Sequence, residues 1–144
     1  MDSVIVFFRN ATYEQVEEAA LPFGFVRGTV SRGTAHFFLW RYMDQEQEAE
    51  LSEDERVKLH GVLGGKPSSA FQVASRHGEN ARLALEATCH LMSRFEPCVL
   101  DDDFGHLWSP HDVSACFESR AKEGIYALRD RPNISFQPTA YGGG

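Results

Sequence analysis

Val4-Ile5-Val6-Phe7-Phe8 is an unbroken apolar run of β-branched and aromatic residues, which predicts a central strand buried on both faces. Asn10 ends it, and Thr12 with Gln15 three positions on forms a capping box that starts a helix. Val16, Ala19 and Ala20 make its apolar stripe, Glu14, Glu17 and Glu18 its wet side, and Pro22 and Gly24 close it. Phe25 to Val30 reads as a second strand, Ser31-Arg32-Gly33 as a hairpin loop, and Thr34 to Tyr42 as a third strand. In that third strand Ala35, Phe37 and Leu39 point one way, and His36, Phe38, Trp40 and Tyr42 the other. Both faces are largely apolar, so each is expected to be covered.

From Asp44 the pattern turns acidic, then a second capping box, Ser52 with Glu55, predicts a helix to about Val62, ended by Gly64-Gly65. Ala70 to Ala74 follows as a strand with Phe71 and Val73 on one face. The strongest helical periodicity runs from Glu79 to Arg94, through Ala81, Ala84, Leu85, Thr88, Leu91 and Met92. Pro97 stops it, Cys98-Val99-Leu100 makes a short strand, and Asp101-Asp102-Asp103-Phe104-Gly105 a tight turn with Trp108 packed beneath it. Ser109 then caps a last helix with Pro110 in its first position.

The order β-α-β-β-α-β-α-β-β-α predicts an α+β domain: a mixed sheet with helices packed mainly on one face. Its opening follows the split βαβ, ferredoxin-like arrangement. Residues 1–130 read as one globular domain. Residues 131–144, polar and ending in three glycines, read as a flexible tail.

Charge narrows the partners. The 144 residues carry a formal net charge of −7, the wrong sign for meeting phosphates or an anionic membrane surface. It favours encounter with a basic protein. The three cysteines, Cys89, Cys98 and Cys116, have no zinc spacing, and reduced, buried thiols in the cytoplasm are the expectation. Met1-Asp2-Ser3 lacks the basic start of a signal peptide, and no run approaches the roughly 20 apolar residues of a membrane helix.

Each apparent catalytic motif fails on spacing. Counted from Asp101, a calcium loop would need glycine where His106 stands and glutamate where Asp112 stands. Asp103-Phe104-Gly105 lacks the glycine loop and catalytic loop that accompany a kinase signature. Gly65-Lys66 is followed by Pro67, and His60 occupies the first glycine of a phosphate loop. Cys89 and His90 are adjacent on a helix and point about 100° apart. No catalytic, cofactor or metal set is assigned. What remains is a negative run, Asp44, Glu46, Glu48, Glu50, Glu53 and Asp54, beside the aromatic Trp40 and Tyr42, and a second acidic group, Asp101, Asp102 and Asp103. An interface needs aromatic anchors, and these acids suit a positive partner.

The strand Ser69 to Ser75, the helix Ala81 to Phe95, and the segment Val99 to Val113 with its aspartates, glycine turn, Trp108 and capped helix resemble the C-terminal half of bacterial immunity proteins. Those accompany polymorphic toxins, contact-dependent growth inhibition systems among them. The resemblance covers residues 68–115 and transfers the Asp101–Trp108 turn only as a fold feature. It implies stoichiometric inhibition in the cytoplasm: binding a cognate toxin domain, a basic nuclease above all, and occluding its active site without nucleic acid or cofactor. The alternative is a small metal-dependent enzyme or ligand-binding regulatory domain built on Asp101, Asp103, His106 and His111.

Overall fold

Two local signals start helices where their hydrogen bonds require. In the computed structural model, which describes residues 2–42, 52–102, 106–120 and 124, Thr12 Oγ1 accepts from the Gln15 N–H at 3.1 Å and the Thr12 N–H donates to Gln15 Oε1 at 2.9 Å. This capping box opens α1 (Tyr13–Ala20), which buries Val16 and Ala20 and passes into a 3₁₀ turn at Leu21–Phe23. Ser52 and Glu55 repeat the device at α2 (Glu53–Leu63), closed by Gly64 at φ 77°.

The strands are β1 (Asp2–Phe8), β2 (Phe25–Val26), β3 (Thr29–Arg32), β4 (Ala35–Tyr42), β5 (Ser69–Ser75), β6 (Cys98–Asp101) and β7 (Leu107–Trp108). The remaining helices are α3 (Glu79–Arg94) and α4 (Pro110–Arg120). The sheet order is β2-β3-β4-β5-β1-β6-β7. Within it, β4-β5-β1-β6 with α1 and α3 is a split βαβ arrangement, its second and third strands being β4 and β5 and not the predicted pair over Phe25 to Val30 and Thr34 to Tyr42: β1 and β4 flank β5 and run the same way. The β2–β3 hairpin is inserted before β4, α2 lies in the connection to β5, and β7 with α4 extends the far side.

The α+β class, with helices mainly on one face, is as expected. The sheet, however, is antiparallel in every described pairing and not mixed. The reason is connectivity: each strand meets its neighbour through a hairpin or through a crossover that skips one strand position. The strand predicted over Phe25 to Val30 is also two strands. Arg27 (φ 48°) and Gly28 (φ 84°) form a left-handed two-residue turn between them. Accordingly β3 runs on through Arg32, and the next hairpin turns at Gly33-Thr34, later than the predicted Ser31-Arg32-Gly33 loop.

Helices α1, α3 and α4 enclose the larger core, with Val16, Leu85, Met92 and Val113 packed on Val6, Phe8, Leu39 and Phe71. The Phe8 ring stands edge-on to Phe71 and Phe95 at 6.4 and 6.1 Å between centroids. On the opposite face α2 places Leu59 and Leu63 on Phe7, Ala70, Val99 and Leu107. Trp108 is fully buried, and its Nε1 donates to Asp102 Oδ2 at 3.0 Å. Asp102 Oδ1 accepts from the His106 N–H at 3.3 Å, so one carboxylate holds both the turn and the indole below it. Ser109 Oγ accepts from the Asp112 N–H at 3.0 Å, the predicted cap of α4. Among the described residues no helix is long and apolar enough to cross a membrane. The predicted tail, residues 131–144, lies outside them.

Candidate functional site

Register builds the site. Trp40 pairs with Gln72, Gln72 with Ile5, and Ile5 with Asp101, so these four side chains share one rung and one face of the sheet. The next rung, Tyr42-Ala70-Phe7-Val99, lies under α2. The rung on the other side, Thr29-Phe38-Ala74-Ser3, has no helix on it among the described residues. The Trp40 rung therefore marks the edge of the helix cover. Trp40 and Asp101 sit at its two ends, three strand spacings or about 14 Å apart.

The expectation that both faces of β4 are covered is corrected here. Phe37 and Leu39 are buried as predicted, but Trp40 is 41% exposed, His36 is exposed and Phe38 is half-buried. The cause is the landing place of α2, which packs over β5, β1, β6 and β7 and reaches β4 at Tyr42, so that among the described residues no helix covers Phe38 and Trp40. Phe38 and Trp40 stack with centroids 4.7 Å apart and planes at 20°, and His36 stands edge-on to Phe38 at 6.1 Å. Val26, 67% exposed, lies two strands away on the same face. The residues Val26, Thr29, Ser31, His36, Phe38, Trp40 and Gln72, all at least partly exposed on this face, include no carboxylate, ammonium or guanidinium.

Three contacts fix the indole in place. A methyl group on Gly28 would lie 3.0 Å from Trp40 Cδ1, so the β2–β3 turn passes directly beneath the ring. Arg41, the next residue, reaches to the other face and pairs with Glu17 at 2.6 Å and Glu14 at 3.6 Å, its guanidinium 5.2 Å from the Tyr13 ring centre. Its pKa is raised, chiefly by the hydrogen bond to Glu17. The Tyr13 hydroxyl donates to the Tyr42 carbonyl. Helix α1 thus ties down the backbone on the C-terminal side of Trp40.

The other predicted interface residues separate. Tyr42 is half-buried against the α2 cluster. Glu53 and Asp54 are exposed in the first turn of α2. Asp101 is half-buried on the Trp40 face. Asp102 is no interface residue: it is 0% exposed and bonded to Trp108 and His106. Asp44, Glu46, Glu48, Glu50 and Asp103 lie outside the described residues. Sequence reasoning missed Phe38, Gln72 and the Arg27-Gly28 turn as parts of the site. The signal for the turn was present as Arg-Gly between two β-branched residues, but the apolar pattern ran through it.

Other chemistry is sparse in the described residues. No group of three His, Cys, Asp or Glu side chains could hold a metal ion there. His111 is exposed at the start of α4, while the His106 ring is edge-on to Trp108 at 5.1 Å. Cys98 is buried and donates to the Met92 carbonyl at 3.2 Å, and burial pushes its thiol pKa up. Burial also raises Cys89, with a smaller opposing effect from its hydrogen bond to Ser114. Cys116 is a core residue beside Val113, as its helical spacing predicts. No family model matches the chain, nor does any curated protein or solved structure, so no family is assigned to it.

Proposed function

We propose that the chain is a stoichiometric inhibitor, an immunity protein that seats a basic toxin domain on the open half of its sheet. The observation that carries the proposal is the Trp40 rung and the stacked, uncharged strip beside it, in a chain of net charge −7. A rigid exposed aromatic stacked on a second ring among uncharged residues is the composition of an interface centre, where Trp and Tyr dominate the binding energy. Acidic residues supply the rim. Glu53 and Asp54 are exposed on the helix over this face, Asp101 ends the Trp40 rung, and Asp44 follows Tyr42 by two residues in the chain. A nuclease toxin is basic where it holds phosphates, and this rim matches that sign.

In this reading the chain acts by occlusion in the cytoplasm and catalyses nothing. The resemblance of residues 68–115 to immunity proteins supports it. The test is coexpression with the product of the gene immediately upstream, which the proposal expects to be a toxin. Restored growth, and one-to-one coelution of the two proteins, is the expected result. Continued killing with both proteins produced and soluble overturns the proposal.

A further inference from the structure

On the opposite side of the molecule, α1 and the end of α3 bound an open groove of about 530 Å³. Its size falls in the range of small-molecule sites. Phe95 and Ala19, both half-buried, form its apolar part with Pro22. Glu18 enters from α1, and His90 and Arg94, one helical turn apart, enter from α3. No ion pair within 4.0 Å joins Glu18 to Arg94 or His90. The Arg94 guanidinium lies 5.8 Å from the Phe95 ring centre, and the His90 ring packs on Phe23 at 5.2 Å. Gln15 caps α1 through its Oε1 and brings its amide donors to the same groove.

Opposite charges thus line one groove with Phe95, and no ion pair within 4.0 Å commits them to each other. A ligand that satisfies both carries a carboxylate and an ammonium with an apolar group between or beside them. We propose that this groove binds a free α-amino acid with a large apolar side chain. Its carboxylate meets Arg94 and His90, its ammonium meets Glu18, and its side chain lies on Phe95 and Ala19. Arginine suits the carboxylate because its planar fork can donate two parallel hydrogen bonds. The site is separate from the open sheet face and does not depend on the inhibitor proposal.

The experiment is calorimetric titration of the full chain with L-phenylalanine, L-phenylalaninamide and N-acetyl-L-phenylalanine. Saturable binding of phenylalanine is expected, with each blocked analogue weaker by about tenfold or more, the scale of one lost charge-assisted hydrogen bond. Glu18→Gln and Arg94→Gln, both at exposed positions, are each expected to weaken phenylalanine by a similar factor with unchanged melting temperature. No saturable binding of phenylalanine, equal binding of the blocked analogues, or indifference to both substitutions overturns the proposal.

Discussion

At Gly28 the backbone has φ 84°, and a Cβ would lie 3.0 Å from the Trp40 indole. Gly28→Ala should therefore lower stability by about 1 kcal/mol or more and displace the ring, measurable by urea unfolding and by the Trp40 emission. Asp102 raises a different question, because its carboxylate is buried with the Trp108 Nε1 as partner. Asp102→Ala leaves that N–H buried and unpaired and should cost about 1–3 kcal/mol. Metal removal by a chelator should leave stability unchanged, since Asp102 acts as a hydrogen-bond acceptor. A measurable chelator effect would revive the metal reading. Cys98 sets a pH dependence. The unfolded thiol ionises near 9.0, while the folded one is held protonated above that by burial. The native state then binds more protons than the unfolded state, so stability is complete below about pH 9 and falls as pH rises past it. Cys98→Ala should flatten that slope in unfolding curves taken between pH 7 and 10.

Among the elements, those whose ends are written locally were legible. Thr12 with Gln15 and Ser52 with Glu55 each form both bonds of a capping box, and Ser109 caps α4. The periodicity of α3 gave Glu79–Arg94 because a helix facing a core repeats its apolar positions over many turns. The β2–β3 turn was not legible as a break, since Phe25, Val26 and Val30 continue an apolar pattern across it. Nor was the position of α2, which depends on strand order and therefore on pairings distant in sequence. That one placement decides which aromatics of β4 are covered, so the site could be named at Trp40 but not outlined. Thr12→Ala should cost about 1 kcal/mol by removing one cap. Leu63→Ala, at the buried contact of α2 with the sheet, should cost about 2–5 kcal/mol, with hydrogen-exchange protection lost first in α2.

For the molecule as a whole, charge and shape divide the surface. Among the described residues Phe38, Trp40 and Thr29 form a neutral strip in a chain of net charge −7, where another protein could approach without desolvating ions. Association with a basic toxin should be fast at low salt and slow as ionic strength rises, while dissociation depends on the aromatic anchor. The central claim is that the open sheet face is the docking surface. Its direct test is a calorimetric titration of the product of the gene immediately upstream, which the account expects to be a toxin, with wild-type protein, Trp40→Ala and, as a control on the opposite layer, Leu21→Ala. Trp40→Ala should weaken binding by about 2 kcal/mol or more, roughly thirtyfold, with Leu21→Ala unchanged and all three proteins equally folded. Binding by a folded Trp40→Ala protein as tight as that of the wild type would contradict the account.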